Sequence, residues 1–147
     1  MRSLMKVLTL LIELAGEINT YICIVQKIIK ALNDHHTSIN GAKILLLGMA
    51  YKPDVDDLRE SPAFKIMELL MNEGAEVNCN DPYIPELKPM RKYTFSERSV
   101  NLIPENLSSY DAVIVLTNHS CYDYKLIREK SKIIIDTRNA LGLSLRE

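Results

Sequence analysis

The chain has almost no net charge to offer. Eighteen lysines and arginines against nineteen aspartates and glutamates leave a formal charge of −1, so no basic face is expected, and with it no nucleic-acid partner. Any anion must be met by a few placed cations. Cysteine is scarce as well: Cys23, Cys79 and Cys121 are scattered, with no Cys-x-x-Cys pair and no histidine at ligand spacing. That argues against a metal site and a disulfide framework, and fits a reduced, cytoplasmic compartment. Long apolar runs are missing too. The stretch Val7 to Ile12 is cut off by Glu13, too short to cross a membrane, and no small-residue cleavage site follows it as a signal peptide requires. Internal repeats and low-complexity tracts are absent.

What is present fits one α/β domain with an appended helix. Hydrophobic residues at 47% and charged residues at 25% are ordinary for a soluble fold, and 147 residues suffice for one sizeable core. From Leu4 to Leu32 apolar residues recur at three- and four-residue steps, interrupted only by Gly16, which predicts one long amphipathic helix with a kink at Gly16 as an option. Such a helix exceeds what its own domain needs, so part of its apolar face is expected to meet another chain or another domain. Residues 1–34 are read as this helix, 35–42 as a connector and 43–147 as a Rossmann-like, doubly wound parallel sheet.

Within that domain, strands and helices alternate as crossover connections require. Strands are predicted at Lys43-Leu47, Glu76-Asn80, Ala112-Leu116 and Lys132-Asp136, with a short one at Tyr93-Phe95. Helices are predicted at Ala63-Asn72, closed by Gly74, at Pro104-Leu107 and at Tyr124-Glu129.

The loop Gly48 to Ser61 leaves the first strand at the sheet's carboxyl edge, where open α/β sheets bind ligands. It lacks the Gly-x-Gly-x-x-Gly that lets a backbone approach a pyrophosphate; only Gly48 is there. A self-sufficient dinucleotide site is therefore not expected. Lys52 and Arg59 offer donors to anionic oxygens, or else merely neutralise Asp54, Asp56, Asp57 and Glu60. Arg138, after the last strand, emerges at the same edge, so that Lys52, Arg59 and Arg138 could converge on one crevice. Asp81, after the second strand, stands where a dinucleotide fold keeps its ribose-binding acid, but reads first as a turn cap. His119 also ends at this edge, with no partner acid evident, which favours a structural role. Cys79 reads as core, and Cys121 as an unactivated loop thiol. Asp54, Asp56 and Asp57 admit a phosphoacceptor reading, weakened because all three lie in one loop.

The run Gly48-Met49-Ala50-Tyr51-Lys52-Pro53-Asp54-Val55-Asp56-Asp57-Leu58-Arg59-Glu60-Ser61-Pro62, then Glu73-Gly74-Ala75-Glu76-Val77, Asp81-Pro82-Tyr83 and Asp136-Thr137-Arg138-Asn139, resembles the carboxy-terminal domain of the UDP-glucose/GDP-mannose dehydrogenase family. Glu13-Leu14-Ala15-Gly16-Glu17-Ile18-Asn19 resembles the helix that precedes this domain and builds the family's dimer. The resemblance implies an NAD-dependent 6-dehydrogenase that oxidises a nucleotide-sugar C6 alcohol through an aldehyde to a carboxylate. It implies that Tyr51, Lys52 and Arg138 contact the UDP-sugar, that Arg59 reaches the NAD, and that the helix forms a homodimer. A UDP-N-acetylhexosamine is favoured by the helix motif and the Asp-Thr-Arg-Asn ending, with UDP-glucose open. The family's catalytic cysteine segment and NAD fingerprint are not found in these residues, so no catalytic residue is assigned, NAD is expected to be bound mainly elsewhere, and the chain by itself is expected to be inactive. The helix also departs from relatives in lacking a Met-Pro after Ile18-Asn19. The alternative is a stand-alone binding or interaction module that keeps the fold without the catalysis.

Overall fold

A computed structural model describes residues 2–90, 93 and 97–141, with side chains from residue 19 onward and at Gly16. The chain opens with helix α1 (Arg2–Asp34), followed by strand β1 (Lys43–Leu47), helix α2 (Ala63–Asn72) and strand β2 (Glu76–Asn80). Two short strands, β3 (Glu86–Leu87) and β4 (Glu97–Arg98), come next, then helix α3 (Pro104–Ser109), strand β5 (Ala112–Val115), helix α4 (Tyr124–Lys130) and strand β6 (Ile134–Asp136). Four strands pair in parallel in the order β2-β1-β5-β6.

Strand β1 shows why this sheet is central. Ile44, Leu45, Leu46 and Leu47 are all fully buried, because a parallel strand covered on both faces has no solvent side to make polar. Successive side chains point to opposite faces. Ile44 and Leu46 join Ala112, Ile114, Ile133 and Ile135 beneath α1 and α2, while Leu45 and Leu47 join Val113 and Val115 against Leu107, Tyr110 and Ile127 of the α3–α4 side. Burying each such leucine or isoleucine contributes about 1.5–3 kcal/mol. The result is three layers, helix–sheet–helix.

The later half of α1 belongs to this core. Val25, Ile28 and Leu32 are buried at three- and four-residue steps, flanked by partly buried Tyr21, Ile24 and Ile29, whereas Ile22 and Cys23 on the other side are exposed. Helix α2 begins just after Ser61-Pro62: the Ser61 hydroxyl accepts from the Ala63 amide (3.3 Å) and donates to the Met49 carbonyl (2.6 Å), tying the helix start to the first loop. It ends at Gly74, whose φ of +91° turns the chain back into β2 with the Gly74 carbonyl accepting from the Gly41 amide (2.8 Å).

The strand expected at Tyr93-Phe95 falls mostly outside the described residues, and Tyr93 itself exchanges backbone hydrogen bonds with Met90 rather than joining a strand. The antiparallel pair β3–β4 stands in this region instead. The last strand starts at Ile134 instead of Lys132.

Candidate functional site

The chain leaves β1 toward β2 on one side and later returns to β1 through β5 on the other. Such a reversal of strand order opens a crevice beyond the carboxyl ends of the two strands. The loops after β1 and β5 meet there, with the turn after β2 alongside.

Their contact is backbone to backbone. Gly48 has a φ of +88°, and a Cβ there would stand 2.5 Å from the Thr117 Cβ and 2.6 Å from its carbonyl oxygen, so no side chain fits. The Thr117 hydroxyl then donates to the Ala50 carbonyl (2.7 Å). Beyond Gly48, the amides of Met49 and Ala50 both point at the same oxygen of Asp81, at 2.8 and 3.0 Å. In a dinucleotide-binding turn the corresponding N–H groups face a pyrophosphate. Here the protein's own carboxylate occupies that nest. Asp81 is only 1% exposed, and a carboxylate so deeply buried requires a full set of donors. Its other oxygen takes the Tyr83 amide (2.9 Å), which is the turn-capping role expected of it.

The third donor to the first Asp81 oxygen is His119 Nε2, at 2.9 Å. This corrects the expectation that His119 lacks a partner acid. Its Nδ1 accepts from the Asp54 amide (2.9 Å). A nitrogen that accepts from an N–H carries no proton, so the ring is the neutral tautomer with its hydrogen on Nε2. His119 is 0% exposed. Asp54 is secured a second time: its carboxylate accepts from the Ser120 amide (2.7 Å) and hydroxyl (2.6 Å), and these bonds hold its pKa below the ordinary aspartate range.

The expected ligand residues are distributed around this fixed centre. Tyr51 and Lys52 are exposed at the crest of the loop, with the Lys52 ammonium 5.7 Å from the Tyr51 ring centroid. Arg59 stands further along the same loop and grips Asp57 with a two-pronged fork, Nε to one carboxylate oxygen and a terminal nitrogen to the other, both at 3.0 Å. That fork, aided by the nearby charge of Lys52, brings Asp57 down to about 2. Arg138 comes from beyond β6. Its Nε donates to the Leu116 carbonyl (2.9 Å) at the end of β5, so its guanidinium is drawn from the sheet's outer strand back toward the crevice. The buried carboxylate of Asp136 shapes this turn, accepting from the amides of Arg138, Ala140 and Leu141. Lys52 and Arg59 thus share one loop, and Arg138 is anchored across β5 from them.

Charge balancing accounts for Arg59 with Asp57, but not for Asp54, whose oxygens belong to Ser120. Among the described residues no group of three acidic, histidine or cysteine side chains is placed to hold a metal ion. Cys79 is buried and its thiol is pushed up to about 12 by that burial, so it is inert, while Cys121 is exposed. No helix among the described residues is long and apolar enough to cross a membrane.

The fold and its ligand edge define a Rossmann-like binding domain whose phosphate nest is filled from within. The chain belongs to the UDP-glucose/GDP-mannose dehydrogenase family, matching its UDP binding domain over residues 45–142. It is similar to a UDP-N-acetyl-D-mannosamine dehydrogenase of Methanocaldococcus jannaschii, 34% identical over 147 aligned residues that cover 93% of this chain and 31% of the relative. Among solved structures it resembles the NDP-N-acetyl-D-galactosaminuronic acid dehydrogenase of Methanosarcina mazei Go1 (TM-score 0.65, 25% identity, 82% of this chain and 25% of that one). It likewise resembles the UDP-N-acetyl-mannosamine dehydrogenase of Staphylococcus aureus (TM-score 0.58, 31% identity, 87% of this chain and 28% of that one). The chain thus spans under a third of the length of these relatives.

Proposed function

We propose that this chain is the nucleotide-sugar-binding part of an NAD-dependent UDP-sugar 6-dehydrogenase that converts a UDP-N-acetylhexosamine to its uronic acid by a four-electron oxidation. The observation that carries the proposal is the exposed cations around a crevice whose backbone nest is already occupied by Asp81. A diphosphate arriving here must be bound by side chains. Lys52 supplies a compact ammonium and Arg138 a planar guanidinium suited to two oxygens at once, while Tyr51 lends a ring beside them. The relatives named for UDP-N-acetylmannosamine support the choice of sugar class.

The residues present do not fit a self-contained NAD site, since the turn after β1 has no glycine fingerprint and its amides are taken by Asp81. In this reading another part of the enzyme holds NAD, and Arg59 contacts it from the loop's far end after releasing Asp57. The chain's own work is to bind the UDP-sugar and orient it for oxidation at C6; α1 carries the homodimer contact, and the enzyme is cytoplasmic.

Calorimetry with a UDP-N-acetylhexosamine on the chain and on Lys52→Ala tests the reading. The expected result is a loss of about tenfold in affinity for the variant, the scale of one lost charge-assisted hydrogen bond. Equal affinity in both proteins would overturn the Lys52 assignment.

A further inference from the structure

We infer that His119 is a positioning residue for the nucleotide-sugar site, acting as a latch that fixes the backbone presenting Tyr51 and Lys52. The inference rests on the UDP-sugar reading above and adds to it a residue that touches no ligand. Full burial keeps the ring away from anything in the crevice, so its influence must pass through its two nitrogens.

Those nitrogens grip both ends of one short segment. Nε2 bonds Asp81, and the same Asp81 oxygen holds the amides of Met49 and Ala50; Nδ1 holds the amide of Asp54. Between the two attachment points lie only Tyr51, Lys52 and Pro53. Neighbouring rings fix the imidazole plane, with Tyr83 at 4.8 Å and Tyr122 at 5.6 Å between centroids, both tilted. The segment gains from such a clamp because Asp54 has a φ of +62°, a left-handed conformation that aspartate tolerates at some cost and that local bonds stabilise. With the Nδ1 acceptor gone, the Asp54 amide loses its partner and only the carboxylate's bonds to Ser120 still hold the residue, so the peptides on either side of Lys52 gain freedom to turn.

Two amide substitutions separate the two bonds. The side-chain oxygen of His119→Asn falls near the Nδ1 position and retains an acceptor for Asp54, whereas the nitrogen of His119→Gln falls near Nε2 and retains only the donor to Asp81. With UDP as the probe and the full 147-residue chain, calorimetry should find His119→Asn within about threefold of wild type and His119→Gln weakened about tenfold. A side chain that merely fills space predicts equal affinity for the two, and that result overturns the inference. In the wild-type chain, nitrogen-15 spectra should show His119 protonated on Nε2, and the Asp54 amide should exchange more slowly with solvent than those of Val55 and Asp56. A proton on Nδ1, or an unprotected Asp54 amide, overturns the latch itself whether or not the variants fold. If the wild-type chain takes up no UDP while both of these signatures hold, the UDP-sugar reading is what fails, and the positioning role falls with it.

Discussion

The two halves of the loop that leaves β1 are built on opposite terms. From Gly48 to Asp54 the backbone is tied to other parts of the fold, by Asp81, Thr117 and His119, and its one cation, Lys52, stands exposed. From Val55 to Glu60 the polar contacts run within the loop: the Asp57 carbonyl accepts from the Tyr51 amide (2.8 Å), and the Asp57 side chain accepts from both the amide and the guanidinium of Arg59. The inner half fixes its backbone and leaves its charge available. The outer half pairs its charge and lies at the surface. A fixed cation suits a ligand that must be oriented, and a paired one suits a ligand that has to displace a partner first.

The contrast breaks most completely at Asp81. Asp81→Ala strands the buried amides of Met49 and Ala50 and the buried His119 Nε2, frees the Tyr83 amide at the surface, and should lower unfolding stability by about 3–5 kcal/mol in a urea titration. A loss near zero would mean that water replaces the carboxylate and that the inner half is not held from beneath. Gly48→Ala comes next, because its methyl meets Thr117 in a backbone conformation that disfavours any side chain. A cost of about 2–4 kcal/mol is expected by the same measurement. The smallest effect is at the outer half. Arg59→Ala should lower the unfolding midpoint only slightly, since the Arg59 side chain is 89% exposed, and should show chiefly in the titration of Asp57. A carboxylate whose pKa is depressed in the folded state contributes stability above its ordinary range and loses it as pH falls toward its folded value. For Asp57 that value is about 2, so its signal in an NMR titration should persist as carboxylate to strongly acid pH and rise toward the ordinary aspartate range in Arg59→Ala, where the residue 59 amide still donates to it. An ordinary titration in the unmodified chain would show Arg59 unpaired in solution, and the two halves of the loop would then differ less than the fork implies.

Much of the scaffold is legible in the sequence because its elements have strong local patterns. Strand β1, helix α2 and strand β2 have the bounds that their apolar runs and the glycine after Asn72-Glu73 predict. Helix α1 is two residues longer at each end than the periodicity of its apolar residues. Strands β3 and β4 escape such reading because two residues carry no period, and their pairing is set by contact with each other. The crevice is legible only in part. Lys52, Arg59 and Arg138 are visible as cations at strand ends, but the partners that tie down Arg59 and Arg138 are a neighbouring carboxylate and a distant carbonyl that no pattern announces. The bond between His119 and Asp81 spans 38 residues. It becomes visible only once β2 and β5 are known to flank β1 on opposite sides, since that order alone brings the turn after β2 and the loop after β5 to the same strand end.

Helix α1 has a mechanical meaning that its sequence role leaves unstated. Its 33 residues make a rod about 50 Å long, while four parallel strands span only about 15 Å from first to last. With Val25, Ile28 and Leu32 seated against the sheet, the rest of the rod is a lever whose fulcrum is the core itself. A rotation of this seat by about 5° becomes a displacement of about 3 Å at the far end, so the packing around Val25, Ile28 and Leu32 sets how far anything joined to that end stands from the crevice.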